Sequence, residues 1–497
     1  MANSFLEIKD VDKRFAGVHA LNNVSLTINQ GEIHCLAGEN GSGKSTLIKV
    51  IAGVVKPDSG TISIGGVAYP SLHPIDAIHA GIQVIYQDFS LFPNLTVAEN
   101  LALNSQLDQR KRIVNWKDVR RIAEKALENI HIDIDLDRTV ETLPVADKQL
   151  VAISRALLGN ARLVIMDEPT TALTQKEVDR LFVIIKSMQE RGIATLFVSH
   201  KLREVLDISE RITILRNGQK ITEGPVSAFD EAKIVYHMTG RSVTDNRFTF
   251  DPEGKKPILE VRALTRKEEF RDIDFSLFPG EILGVTGLLG SGRTELALSL
   301  FGVKPSESGA IVIDGEERPI RSIQDGIAAG IAYVPEDRIS EGLFLSQSIS
   351  RNVIVGILSR LTKRSGLLDF EKADSTVDDW IRALSIATPD VTRPVQSLSG
   401  GNQQRVVLAK WLSTNARIIV LNGPTVGVDI GSKADIHEKL KELALKGLAL
   451  LVISDDIPEL VQNCNRVLVM HKGRMVREIA GGELNENGLI ETLNGLD

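Results

Sequence analysis

The sequence predicts an α/β protein of two homologous domains, each built on a mainly parallel sheet covered by helices. Three observations carry that expectation. A repeat runs through the chain, apolar β-branched runs alternate with amphipathic stretches, and a glycine-rich loop stands between a strand and a helix.

The repeat is defined by its offset. "GEIHCLAGENGSGKST" begins at Gly31 and "GEILGVTGLLGSGRTE" at Gly280, 249 residues later. Ser59 and Ser308, and Gln87-Asp88 and Glu336-Asp337, keep that spacing. Leu143 with Leu398, Asp167 with Asn422, His200 with Asp455 and Gly218 with Gly473 are 255 apart. One net insertion of six residues therefore falls between Asp337 and Leu398. Chance similarity is a poor explanation for two offsets covering most of each half, and the period is too long for a solenoid. The expected domains are 1–241 and 258–497, joined by 242–257. The join, within "GRSVTDNRFTFDPEGKKP", is polar, without helical or strand periodicity, and short for a linker.

In each half, apolar runs ("ARLVIMD", "TLFVSH", "ARIIVLN", "LALLVIS") alternate with amphipathic stretches ("QKEVDRLFVIIKSMQERG", "SKADIHEKLKELALKG"). Strands followed by helices mean a mainly parallel sheet covered on both faces. Such sheets bind ligands at the carboxyl ends of their strands.

Composition narrows the classes. A chain of 497 residues holds two or more domains, and 43% hydrophobic with 25% charged residues is ordinary for a soluble globular protein. A net charge of -7 does not favour a nucleic-acid partner, which usually meets a basic face. Two distant cysteines, Cys35 and Cys464, suggest a reducing compartment without a disulfide framework. "MANSFLEIKD" has no apolar run of the signal-peptide kind. No apolar run reaches the roughly 18 residues of a membrane helix. Work at a membrane would therefore proceed from the cytoplasmic side through a partner.

"GENGSGKST", Gly38 to Thr46, is a G-x-x-x-x-G-K-S/T phosphate loop, preceded by the strand "IHCLA" and followed by the helix "STLIKVIAG". Glycines let backbone N–H groups wrap phosphates, and the helix N-terminus favours anions. Lys44 is expected on the β- and γ-phosphates and the Ser45 hydroxyl on Mg²⁺. Asp167 can hold the metal, and Glu168 can take a proton from an attacking water. His200 can hydrogen-bond the γ-phosphate, and Gln87 can reach metal and water. Phosphoryl transfer asks mainly for positioning and charge stabilisation, which this set supplies.

Together with "LSGGNQQRVVLAKWL", from Leu398 onward, these segments resemble the ATP-binding subunits of ABC transporters. Phosphate loops are widespread; the "LSGGNQQ" signature discriminates. The tandem arrangement, "GLLGSGRTEL", "VPEDR" (Val334 to Arg338) and "GVDIGSKADI" are similar to the ribose, galactose and xylose importers. The resemblance covers essentially the whole chain. It implies two P-loop ATPase domains, each with an antiparallel β subdomain and a helical subdomain. It also implies ATP and Mg²⁺ as cofactors, an integral-membrane permease as partner and a periplasmic solute-binding protein acting through that permease. No nucleic acid is implied. The chain would sit peripherally on the cytoplasmic face of the inner membrane and drive import of a small sugar or related solute.

In that family each ATP lies between the phosphate loop of one domain and the signature of the other, so the motifs are scored crosswise. One composite site takes Gly38, Glu39, Asn40, Gly41, Ser42, Gly43, Lys44, Ser45, Thr46, Gln87, Asp167, Glu168 and His200 from the first half. Ser399, Gly400 and Gly401 come from the second, with the glycines leaving room for close approach. Phe15 stands at the family's adenine-stacking position; from sequence alone a core phenylalanine is an equal alternative. The other site has Arg293 for lysine, Asn422 and Gly423 for the carboxylates, and Asp455, expected to repel phosphate, for histidine. Thr294 can still ligate Mg²⁺, and Glu336 offers a carboxylate near the metal. The opposing signature reads "LPVADKQ", with Pro144, Ala146 and Asp147 where serine and glycines belong. These losses fall on one site, which predicts one hydrolytic and one degenerate site. The alternative is a soluble tandem ATPase with a regulatory or ribosome-associated role; the long charged linker of the ribosome-associated type is not seen in this sequence. The segments after the Q-loops carry apolar residues, Phe89, Leu91 and Phe92 among them, that either face the permease or pack as ordinary loop side chains, equal alternatives from sequence alone.

Overall fold

The computed structural model describes residues 4–86, 89–108, 114–130, 132–170, 173–199, 201–240, 248–288 and 290–496. It divides into two compact units, Met1–Val243 and Thr244–Asp497.

The first unit contains β1 (Ser4–Phe15), β2 (Val18–Asn29), β3 (Ile33–Gly38), β4 (Ser59–Ile64), β5 (Val67–Tyr69), β6 (Ile82–Ile85), β7 (Leu163–Asp167), β8 (Ala194–Val198), β9 (Arg211–Arg216) and β10 (Gln219–Pro225). An antiparallel sheet has the order β2-β1-β4-β5, and a central sheet the order β10-β9-β3-β8-β7-β6. In the central sheet β9, β3, β8, β7 and β6 run parallel, with β10 antiparallel on β9.

Strand side chains alternate between faces, and both faces here are covered. Along β7, Leu163 and Ile165 join Leu6, Ile8 and Leu21 of the antiparallel sheet in one core. Val164 and Met166 join Ile153 and Ile185 in a second, helical core. This explains why "ARLVIMD" reads as a continuous apolar run. The helix expected from "QKEVDRLFVIIKSMQERG" spans Gln175–Glu190 and starts with a capping box in which Thr174 N–H donates to Glu177 at 2.7 Å. Helices Val97–Asp108, Trp116–Glu128 and Val145–Leu158 form the helical subdomain.

The second unit repeats this topology. Its strands are β11 (Leu259–Arg266), β12 (Phe270–Leu277), β13 (Ile282–Gly287), β14 (Ser308–Ile313), β15 (Glu316–Glu317), β16 (Ile331–Val334), β17 (Ile418–Asn422), β18 (Ala449–Ile453), β19 (Arg466–His471) and β20 (Arg474–Ala480). They order as β12-β11-β14-β15 and β16-β17-β18-β13-β19-β20.

A third offset lies between the two seen in the sequence. Buried Asn100 accepts the N–H of Phe92 at 2.8 Å, and buried Asn352 accepts that of Phe344 at 2.9 Å. Each pair sits 252 residues from its counterpart, so the six-residue insertion is split into two equal steps. The stretch expected as a linker also divides. Residues 241–247 lie outside the described residues, but from Phe248 the chain packs on the second unit. Asn465 donates to the Phe248 carbonyl at 3.2 Å, and Phe250 lies against Phe278 with the Lys255 ammonium 3.9 Å from its ring centre.

Both cysteines are free and buried, and burial pushes the Cys35 thiol up to about 12. Among the described residues, no helix is long and apolar enough to cross a membrane.

Candidate functional site

β3 leads into the glycine-rich loop, and the helix Lys44–Ile51 starts immediately after Gly43. Gly43 has φ 107°, and a Cβ there would lie 2.6 Å from the Ala20 carbonyl oxygen, so the turn requires glycine. No side chain caps this helix, which leaves its first amides facing the loop. The Lys44 ammonium curls over the loop and donates to the carbonyls of Gly38 and Glu39 at 2.7 and 2.9 Å. Gly38, Ser42, Gly43 and Lys44 are buried, Glu39 and Thr46 half-buried, and Asn40, Gly41 and Ser45 exposed.

In the central sheet β8 alone separates β3 from β7, which brings Asp167 to the same edge as the loop. Burial and then the charge of Glu168 raise the Asp167 carboxyl; Lys44 and Lys49 pull the other way. A divalent cation would relieve both raising effects, and the exposed Ser45 hydroxyl is a second oxygen donor, so the residues present fit Mg²⁺. Glu168 has φ 50°, and its N–H donates to the Val198 carbonyl at 2.9 Å.

Sequence reasoning missed Glu204. Its carboxylate accepts from the Thr170 hydroxyl at 2.5 Å and the Ser199 hydroxyl at 3.2 Å, while Lys201 donates to the Thr170 carbonyl at 2.9 Å. This ties the turn after Glu168 to the turn after β8. The signal available was a glutamate four residues beyond His200, in the helix Leu202–Ile208. Gln87 and His200 themselves lie outside the described residues. Phe15 ends β1 and is 45% exposed, with the Lys13 ammonium 5.3 Å from its ring centre, so it is not a core residue.

In the second unit, Ser399 immediately precedes the signature helix Gly400–Leu412, which has no side-chain cap; Asn402 donates to the Ser399 hydroxyl at 3.0 Å. The space that the signature glycines leave is filled from inside the unit. A Cβ on Gly401 would fall 2.3 Å from the Ser432 hydroxyl, and one on Gly400 would fall 2.8 Å from the Arg338 guanidinium. The corresponding helix of the first unit, Val145–Leu158, follows Pro144 and carries Asp147 in its first turn.

The second phosphate loop keeps the left-handed glycine before its helix but has different chemistry. Its helix, Arg293–Phe301, follows Gly292 at φ 92°. Arg293 donates to the Gly287 carbonyl at 2.8 Å, as Lys44 does to Gly38, and also forms an ion pair with Asp455. Asp455, expected to act on phosphate by repulsion, is thus engaged with the arginine of its own loop. Asn422 is buried and hydrogen-bonds the Tyr333 phenol. Gly423 has φ 56°, donates its N–H to the Ile453 carbonyl at 2.8 Å, and lies against the Glu336 side chain.

Of Phe89, Leu91 and Phe92, only Phe92 is exposed. Phe89 and Leu91 pack against the helical core of the first unit.

The description of ABC transporters matches residues 21–171 and 270–426, once in each unit. The chain belongs to the ABC transporter family. Its similarity to known members extends end to end. It is 40% identical to the ribose import ATP-binding protein RbsA 2 of Streptomyces avermitilis, over 99% of this chain and 97% of the relative. It is 41% identical to the ribose import ATP-binding protein RbsA 3 of Rubrobacter xylanophilus, over 99% and 98%. It is 38% identical to the putative ribose/galactose/methyl galactoside import ATP-binding protein 1 of Agrobacterium fabrum, over 99% and 97%. As a member of the ABC family the chain is an ATP-binding ATPase with two tandem α/β units.

Proposed function

We propose that this ATPase energises import of a small sugar or sugar-like solute through a membrane permease, and that one of its two sites hydrolyses ATP. The observation carrying the one-site reading is the Arg293–Asp455 ion pair in the second phosphate loop, set against the adjacent carboxylates of Asp167 and Glu168 in the first unit. The names of relatives some 40% identical over nearly the whole chain support the solute class.

In this reading the amides of Gly38 to Thr46, including those of Glu39, Asn40, Gly41, Ser42 and Gly43, cradle the phosphates. Lys44 turns from the loop carbonyls to the β- and γ-phosphate oxygens. Ser45, Asp167 and Gln87 would hold Mg²⁺, whose chemistry is to neutralise charge on those oxygens. Glu168 accepts a proton from the attacking water, and His200 donates to the γ-phosphate. Phe15 stacks on the adenine. Ser399 and the uncapped amides of Gly400 and Gly401 are the signature's donors for a γ-phosphate. Removal of one such group typically lowers turnover by ~10²–10³, and the second site lacks several.

The relatives' import roles support an integral-membrane permease as partner. In this reading a periplasmic solute-binding protein delivers solute to it, and the chain works at the cytoplasmic face of the inner membrane. Phe92 and Phe344 are 48% and 58% exposed, each held at the same kind of asparagine clasp, and form the docking positions.

Matched substitutions test the one-site reading. Lys44→Ala should abolish Mg²⁺-ATP hydrolysis by the full chain, and Arg293→Ala should leave it unchanged. Equal losses from both variants would show that both sites turn over.

A further inference from the structure

Arg338, the last residue of "VPEDR", has no role in the reading above. It opens a short turn of π-helix, Arg338–Gly342, a geometry often found at functional sites. Its guanidinium is half-buried, and burial lowers its proton affinity. The planar fork reaches two other segments of the second unit. Nη1 donates to the Val426 carbonyl at 2.8 Å and Nη2 to the Gly427 carbonyl at 3.0 Å, both in the loop after β17. Nε donates to the Gln403 side chain at 3.4 Å, in the first turn of the signature helix. Nη2 also occupies the space beside Gly400 that a Cβ would need.

The turn is fastened to the same helix at its other end. Lys410, buried and lowered to about 8 by that burial, donates to the Gly342 carbonyl at 2.5 Å. The turn Arg338–Gly342 is therefore held along the signature helix at both of the helix's ends. Its outer face presents Ile339, 52% exposed, and Phe344 follows two residues after Gly342.

Among the described residues, the first unit has no equivalent of the fork. The position 249 residues earlier is Phe89, which packs on the helical core. The forked arginine thus accompanies the intact signature "LSGG", and the degraded "LPVA" lacks it.

We infer that Arg338 is a positioning residue: it fixes the N-terminus of the signature helix against the loop after β17, and carries displacement of the exposed turn to Ser399, Gly400 and Gly401. A lysine cannot replace it, because one ammonium cannot donate to both loop carbonyls and to Gln403 in a fixed plane. The catalytic consequence rests on the reading that this signature serves the hydrolytic site.

Two measurements on the full chain separate the positioning role from that reading. In hydrogen exchange without nucleotide, Arg338→Ala should speed the hydrogen-bonded amides of Gln403 and Gln404 by about tenfold and leave those of the helix Ile430–Leu445 unchanged, with Arg338→Lys intermediate. Unchanged exchange at Gln403 and Gln404 overturns the proposal, whatever the kinetics. A uniform rise across both helices also overturns it, because Arg338 would then be a general structural tie. In steady-state hydrolysis, Arg338→Ala should lower kcat by about tenfold with KM for ATP held within about twofold. On a Ser399→Ala background it should add less than about twofold. Independent, multiplying losses would mean that Arg338 acts on turnover by a route other than the signature, and would overturn the coupling. Faster local exchange combined with no kinetic effect of Ser399→Ala would uphold the positioning role and refute the signature's part in hydrolysis.

Discussion

Glu168 and Gly423 share one backbone conformation, φ 50° and 56°, each with its N–H donated to the carbonyl at the end of the adjacent strand. Glycine adopts this left-handed region without penalty; a glutamate is strained there by roughly 1–2 kcal/mol. Strain of this kind persists where a function holds it in place. Glu168 is also the neighbour whose charge raises Asp167. Glu168→Gly should therefore stabilise the first unit by roughly 0.5–1 kcal/mol, after subtracting the extra chain entropy of glycine, while removing hydrolysis. Calorimetry should show its transition rise by about 2 °C. A lowered transition would show that Glu168 is held by favourable contacts rather than against strain.

The Arg293–Asp455 pair predicts nucleotide stoichiometry. Wild-type chain should bind one ATP per chain in equilibrium dialysis. Asp455→Asn releases the guanidinium and removes a negative charge, so a second, weaker site should appear. Arg293→Ala together with Asp455→Ala should keep the stoichiometry at one. Two equivalent sites in the wild type would show that the pair opens readily for phosphate.

Glu459 is the counterpart of Glu204 in the second unit and is more deeply held. Burial alone would raise its carboxyl. Hydrogen bonding and charge from His437, the charge of Lys433 and the Ser454 hydroxyl outweigh burial and hold it at about 2. A depressed carboxyl contributes stability above its unfolded value of 4.5, and that contribution is lost as pH falls towards 2. At neutral pH it is on the order of 3 kcal/mol. Urea titrations should find Glu459→Gln less stable than wild type at pH 7, with the gap narrowing from about pH 4.5 downward. A gap that stays constant with pH would assign the loss to packing alone.

Phe92 tests the docking surface. Phe92→Asp should lower solute uptake in cells at least ~10-fold, since a charge on an interface anchor removes most of its contribution. Hydrolysis by the isolated chain should not change, because the Asn100 clasp acts on the Phe92 backbone rather than its ring. Normal uptake would place the permease elsewhere.

The parts of the fold set by local pattern were legible in the sequence. "ARLVIMD" and "TLFVSH" became strands because both faces of the central sheet are covered, and the amphipathic stretch from Gln175 became the helix Gln175–Glu190. The phosphate loop was legible because Lys44 acts on its own neighbours, Gly38 and Glu39. What escaped depends on long-range partners. Arg293 meets Asp455 across 162 residues, Arg338 meets Gly427 across 89, and Thr170 meets Glu204 across 34. No periodicity encodes such pairs. The sequence left Phe89, Leu91 and Phe92 between docking and loop packing for a related reason: they look alike in a polar loop, and only the course of the backbone decides which side chain faces out.

The two thiols have a practical consequence. Cys35 and Cys464 are the chain's only cysteines and both lie inside hydrophobic cores, where burial suppresses the thiolate. The natural chain is therefore nearly silent to maleimides while folded. A single cysteine added at Ile339 gives one labelling address on the exposed turn, with no native sulfur to remove first, and a dye placed there reports on that turn alone.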